Sequence, residues 1–310
     1  MNARLVDLQY AAAWRLVRLL PEPVAHAVFQ LGADLAVRRD GAGVRQLRAN
    51  LARVAPSAEP AGLVLDGPVL DGPVLDGAAL DGLVKAGMRS YARYWCEMFR
   101  LSASDAARIV AATTVTNPGP FDEALDADRG LIIALSHSGN WDAAGVWLIE
   151  TLRRRGLDPA FTTVAQRLKP DSVYRRFIAH REALGFELVA AEDGAYRALS
   201  ARLRRGGVVC VLADRDVLGT GLDVTLLGEP ARLPSGPARL AAFTGATLLP
   251  TRLGFAPDGW TIAFAEPVPV PGPADVGKAT QALADALGAL VAADPADWHV
   301  LQPLWSADQR

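Results

Sequence analysis

The sequence predicts a single α/β domain, with a central, largely parallel or mixed sheet flanked by helices and with amphipathic helices ahead of it. Three observations carry that reading. In the second half of the chain, short apolar runs alternate with stretches of helical periodicity, the pattern of a sheet assembled from strand and helix units. A chain of 310 residues with 51% hydrophobic content can bury one large core. No apolar run approaches the ~20 residues needed to cross a bilayer, so the chain is not expected to span one.

From the beginning, Val6, Tyr10, Ala13, Val17 and Leu20 recur at steps of four and three, and after Pro21 and Pro23 the series Val24, Val28, Leu31, Leu35 repeats the step. Two amphipathic helices joined by a proline corner are expected within a helical segment spanning residues 1–60. Either their apolar faces close the core, or Trp14, flanked by Arg15 and Arg18, rests in a lipid interface. Those two arginines also fall where a secretory signal would need its apolar centre.

Residues 61–84 hold four copies of a five-residue unit ending in Asp-Gly, at Asp66, Asp71, Asp76 and Asp81. Asp-Gly favours turns, which predicts a low-complexity surface insertion between two helices, with the α/β core occupying 85–310. "VKAGMRSYARYWCEMFRL" then resumes a helix. Strands are expected at 131–136, 160–164, 208–213, 223–227, 248–253 and 261–265, and helices at 142–155, 171–184, 193–205, 235–243 and 277–292.

A net charge of −2 gives no overall reason to expect nucleic acid as a partner. Local charge differs: residues 151–207 carry twelve Lys and Arg against six acidic residues, most of them expected on solvated helix faces and some able to meet anionic lipid headgroups or the phosphates of coenzyme A. Cys96 and Cys210 fall inside a predicted helix and a predicted strand, which provides no disulfide framework and fits a reducing cytoplasm.

The chemistry concentrates at strand ends. "SHSGNWDAAG" follows the apolar run 131–135, so His137 ends a strand and Asp142 opens a helix. A carboxylate folded back onto the imidazole would fix its tautomer and make it a general base; a plain strand-end turn with an acidic helix start is the alternative. "VVCVLADRDVLGTG" places Asp214, Arg215 and Asp216 past another buried strand, expected at the same sheet edge. Arg232 precedes a Pro-Ser-Gly-Pro turn into a helix, where the free N–H groups around Ser235 and Gly236 could hold a phosphate or an oxyanion. The chain has no G-x-S-x-G elbow, no P-loop, no G-x-G-x-x-G and no H-E-x-x-H, so no metal is expected, and Ser138 is a poor nucleophile beside His137.

"HSGNWD", with "LADRD", "GEPARLPSGPA", "TGATLLP", "YWCEMFRL", "FTTVAQRLKPDSVYRRF", "REALGFE" and "DPADWHVLQPLW", resembles the bacterial lysophospholipid and lipid A acyltransferases, whose shared mark is H-x4-D or H-x4-E. The likeness runs from about Val84 to Trp305. It implies a glycerolipid acyltransferase-like fold on the cytoplasmic face of a membrane. It also implies transfer of a palmitoyl group from acyl-coenzyme A, a co-substrate rather than a cofactor, to a mannose hydroxyl of a phosphatidyl-myo-inositol mannoside.

The same resemblance makes His137 the catalytic base and Asp142 its motif partner. Asp214 stands where relatives carry a charge-relaying glutamate, Gln166 also replaces a glutamate, and Arg181 matches an arginine of the substrate groove. Arg167, Arg215, Arg232, Ser235 and Gly236 complete the expected substrate-binding set. Another lysolipid or glycolipid acceptor, a thioesterase, or a non-catalytic binder of acyl-coenzyme A or lipid are the competing readings.

Overall fold

A computed structural model describes residues 3–54, 77–102, 105–167, 169–191, 194–217 and 219–309. The first half is helical: α1 (Ala3–Leu19), α2 (Glu22–Arg39), α3 (Ala42–Val54), α4 (Gly77–Arg100) and the short α5 (Ala106–Ala111). Strands and helices then alternate through β1 (Thr113–Thr116), α6 (Gly119–Asp126), β2 (Leu131–Leu135), α7 (Trp141–Arg154), β3 (Phe161–Ala165), α8 (Asp171–Ala183), β4 (Glu187–Ala190), α9 (Ala195–Leu203) and β5 (Val208–Leu212). The hairpin β6 (Leu222–Leu226) and β7 (Glu229–Leu233) follows, then α10 (Gly236–Thr244), β8 (Thr247–Ala256), β9 (Gly259–Phe264) and α11 (Val276–Ala293).

Seven strands form one sheet in the order β1-β9-β8-β2-β5-β3-β4. Every neighbouring pair is parallel except β8 and β9, so the sheet is mixed, with β9 and β1 running against the rest. The expected α/β architecture with N-terminal helices is therefore what the chain adopts. The central β2, "LIIAL", is buried along its whole length, as a parallel strand covered on both faces must be. Its side chains alternate: Leu131, Ile133 and Leu135 join Ile109, Phe121 and Leu148 from α5, α6 and α7, while Ile132 and Ala134 join Leu199, Leu240 and Leu283 from α9, α10 and α11.

Three departures from the sequence reading have physical causes. The run at 223–227 is not in the central sheet; β6 pairs antiparallel with β7 as a separate ribbon, whose Val224, Leu226, Ala231 and Leu233 pack against α3, α11 and the Trp298–Trp305 segment. The edge strands β1, "TTVT", and β4, "ELVA", carry too little apolar content to stand out in the sequence, and Pro230 obscures β7. Helix α4 starts at Gly77, so the last Asp-Gly unit, with Asp81, is helical, whereas the units at 63–76 lie outside the described residues.

The N-terminal pair also divides differently from either reading. Trp14 is buried, only 7% exposed, between Phe99 of α4 and Phe177 and His180 of α8. It therefore anchors α1 to the domain rather than sitting in lipid. On α2 the buried residues are Ala25 and Ala33, while Val24, Val28, Leu31 and Leu35 face outward.

Candidate active site

Register builds the centre of the site. In the parallel pairing of β2 with β5, Leu135 lies opposite Leu212, so the residues two positions beyond each strand, His137 and Asp214, emerge side by side at the carboxyl edge of the sheet. His137 Nδ1 lies 2.5 Å from Asp214 Oδ1, and the His137 backbone N–H donates to Asp214 Oδ2 at 2.8 Å. The Asp214 side chain is almost wholly buried, while that of His137 keeps 18% of its surface exposed.

Burial pushes the Asp214 carboxyl upward. The charge and hydrogen bonds of His137, with the indole N–H of Trp298, outweigh it and hold Asp214 below the usual carboxylate range. An ionised carboxylate only accepts, so Nδ1 is the protonated nitrogen and Nε2 carries the lone pair. Such an imidazole can take a proton at Nε2, and the buried negative charge stabilises the imidazolium that results.

The carboxylate that meets the imidazole is therefore Asp214, and the expected fold-back of Asp142 onto His137 does not occur. Asp142, 0% exposed in the first turn of α7, accepts from Arg181 Nε at 2.7 Å and Nη2 at 3.2 Å and from the Tyr94 hydroxyl at 3.1 Å. Burial alone would lower the Arg181 pKa, but Asp142 and Tyr94 together raise it by more, and the guanidinium stays charged. For Tyr94 both effects act upward, burial first and then the Asp142 charge, and its hydroxyl remains a protonated donor.

The other residues of "HSGNWD" account for the spacing. Ser138 is buried, shares a 2.8 Å hydrogen bond with Ser136, and accepts the Leu253 N–H at 3.2 Å, so it braces the loop against β8. Gly139 has φ +56°, and a Cβ there would fall 2.6 Å from the Gly254 nitrogen; only glycine fits. Asn140 caps α7 by accepting the Ala143 N–H at 3.0 Å, and its amide donates to Glu97 of α4 at 2.8 Å. Trp141 lies 4.0 Å from the ring of Tyr94 and 6.1 Å from that of His137, centroid to centroid. Tyr94, Trp95, Phe177 and Phe255 extend this aromatic wall towards Trp14.

The remaining expected positions spread around the edge. Gln166 and Arg167 follow β3 and are exposed, with Arg167 3.9 Å from Asp171. Arg215 is half-buried beside Asp214, and Asp216 ties its own loop by accepting the N–H groups of Thr220 and Gly221. Arg232 donates to the Gly221 carbonyl at 2.6 Å and lies 3.5 Å from Asp223 and 3.9 Å from Asp216. Its guanidinium is thus tied to the loop through Gly221 and lies near the loop and hairpin carboxylates. Ser235 precedes α10 and makes no side-chain cap bond, and Gly236 is the first helical residue.

The sequence reading had not assigned roles to Tyr94, Ser90 or the segment 297–299. Ser90 Oγ approaches Asp297 Oδ1 at 2.5 Å and His299 Nε2 at 2.9 Å. This resembles a hydrolase triad, but the serine sits between the acid and the histidine, so its hydroxyl bridges them instead of being activated. Burial, then the charge of His137, lowers the His299 pKa to about 3, and burial, then Asp294, raises that of Asp297 to about 6. The signal was present in the tail block "DPADWH", whose three polar side chains are all buried or bonded here.

Residues 77–307 match the family model described as bacterial lipid A biosynthesis acyltransferase. The chain is 44% identical to the phosphatidylinositol mannoside acyltransferase of Mycolicibacterium smegmatis over 311 residues, covering 99% of this chain and 94% of the relative. It is 43% identical to the phosphatidylinositol mannoside acyltransferase of Mycobacterium tuberculosis strain H37Rv over 310 residues, covering 97% of this chain and 89% of the relative.

Proposed function

The chain belongs to the bacterial lipid A biosynthesis acyltransferase family and is an acyltransferase, and from that premise we propose that it moves a long-chain acyl group, palmitoyl in the first instance, from acyl-coenzyme A to a mannose hydroxyl of a phosphatidyl-myo-inositol mannoside. The acceptor follows from the names of the two relatives. The observation that carries the mechanism is the His137 ring held by a buried, ionised Asp214 with its second nitrogen available.

In the proposed step, His137 Nε2 takes the proton of the mannose hydroxyl as that oxygen attacks the thioester carbonyl. The tetrahedral oxyanion then collapses, the C–S bond breaks, and the leaving coenzyme A sulfur recovers the proton from the imidazolium. No acyl-enzyme forms, consistent with the buried, doubly bonded Ser138. Asp214 keeps the charge on the imidazole balanced throughout. Asp142 acts at one remove, holding Arg181 and Tyr94 in the wall beside Trp141. Gln166, Arg167, Arg215, Arg232, Ser235 and Gly236 are the candidates for contact with the sugar and the phosphates of the two substrates.

The protein works from the surface of an anionic membrane, on its cytoplasmic side. Among the described residues no helix is long and apolar enough to cross a bilayer. Leu16, Leu19, Val24, Val28, Leu31 and Leu35 of α1, α2 and their corner are exposed, with Arg15, Arg38 and Arg39 nearby in the chain, the composition of a helical pair that lies in a lipid interface.

His137→Ala is expected to abolish acyl transfer while leaving the circular dichroism spectrum and thermal midpoint near those of the parent. Coenzyme A release from palmitoyl-coenzyme A, followed with and without the mannolipid, is the assay. Full activity in the folded variant would remove His137 as the base, and release indifferent to the mannolipid would mark a thioesterase instead.

A further inference from the structure

Asp214 takes three hydrogen bonds among the described residues, and only two come from His137. The third is from the indole of Trp298, whose Nε1–H donates to Asp214 Oδ2 at 2.9 Å. Trp298 is 2% exposed, and its ring meets that of Trp305 edge-on at 6.2 Å. Trp305 is fixed in turn by its own Nε1–H on the Leu226 carbonyl and by the guanidinium of Arg53, 4.9 Å above its ring. The indole therefore has little freedom to leave the carboxylate.

The backbone around Trp298 holds the other half of the pair. The Gly139 N–H donates to the Asp297 carbonyl at 2.9 Å, the His299 N–H donates to the His137 carbonyl at 2.7 Å, and Ser138 and Trp298 form an antiparallel bridge. Asp297 is pinned by the Phe255 N–H at 2.6 Å and by Ser90. One three-residue stretch thus grips the loop that carries His137 and, through a side chain, the acid that orients it.

Water is a poor substitute at this point. The crevice beside Asp214 and Trp298 is lined by Leu226, Leu227, Leu233, Leu287, Gly288 and Val291, and its volume is about 10 Å³, room for a single water at most. A carboxylate deprived of the indole would face apolar side chains, with His137 as its remaining donor.

We propose that Trp298 is a positioning residue for acyl transfer: its indole N–H fixes the Asp214 carboxylate so that Oδ1 stays on His137 Nδ1 and Nε2 stays aimed at the acceptor hydroxyl. The proposal rests on His137 being the base. Trp298 touches neither substrate in this role, so its removal should lower kcat and leave both KM values close to their original size.

Trp298→Phe keeps the aromatic bulk and removes the donor. The expected result is a roughly ten- to hundredfold drop in kcat, the usual effect of losing a hydrogen bond to a buried charge that supports a reacting group. Loss of a donor to the carboxylate also makes the His137–Asp214 pair hold its last proton more tightly, so the acid limb of the kcat profile moves to higher pH. The neighbouring titratable groups are Asp297 with His299 on one side and Asp142 with Arg181 on the other, and the indole N–H that the substitution removes donates to Asp214. In the Asp214→Asn background the same change should cost little, because the group it acts through is gone.

A merely structural tryptophan would lower the thermal midpoint without moving the acid limb, and would cost the same in both backgrounds. Either result overturns the proposal. Activity surviving in His137→Ala would instead overturn the reading on which it rests, and the two failures are separately visible. Should Trp298→Phe not fold, the parent protein itself decides: the assigned indole N–H proton resonance of Trp298 is expected far downfield and shifting with the acid limb, and a resonance that ignores both pH and Asp214→Asn sinks the idea.

Discussion

At the scale of single residues, of the two aspartates expected to serve the imidazole only the one past β5 reaches it, while the motif aspartate holds an arginine instead. The nearer acid, Asp142, neutralises Arg181, and the acid 77 positions beyond His137 meets the imidazole. Asp142→Ala should therefore act first on stability, leaving Arg181 without its buried partner at a cost of about 3–5 kcal/mol, read as a lower urea midpoint. Pairing it with Arg181→Met should recover much of that loss. Protonation gives a second expectation. The folded pKa of His299 lies at about 3, below its unfolded value of ~6.5, so its contribution is complete above pH ~6.5 and is lost as pH falls from there towards 3. Asp297 runs the other way, its raised pKa adding stability as pH falls below about 6. Urea midpoints measured across pH should fall less steeply on the acid side for His299→Gln than for the parent. His137 and Asp214 were legible because each follows a buried apolar strand at one sheet edge, whereas the bond of Asp142 to Arg181 was not, because it depends on how α8 packs beside α7, which no local pattern encodes.

At the scale of elements, periodicity located what was long or strongly apolar and failed where an element was short or faced solvent. The helices α7, α8, α10 and α11 and the strands β2, β3, β5, β8 and β9 lie within a few residues of their expected places. β1 and β4, at the sheet's two edges, have four residues each and alternate or fall exposed, so they lack a signal of buried apolar runs. Helix α2 shows the opposite problem. Its regular apolar series was real, but regularity says only that Val24, Val28, Leu31 and Leu35 share a face, not that protein covers it. If lipid covers it, Val28→Asp with Leu31→Asp should abolish flotation with phosphatidylglycerol-containing vesicles while the thermal midpoint stays within about a degree or two, as expected of exposed positions. Undiminished flotation would assign the face to something other than membrane.

For the molecule as a whole, the fold class was readable from alternation alone, whereas the closing of the site was not, because it depends on a stretch with no secondary structure beyond a short 3-10 turn at Pro295–Asp297. Nothing periodic marks Trp298 or Trp305, yet both are among the largest fully buried side chains, and they join the hairpin β6–β7 to the helices α3 and α4. Chain order gives this arrangement a temporal consequence. A ribosome makes His137 and Asp214 long before Trp298, and a nascent chain whose sheet has already emerged still lacks the segment that sets the dyad. If Trp298 positions the dyad as proposed, the full rate of acyl transfer is reached only once translation has passed the tryptophans.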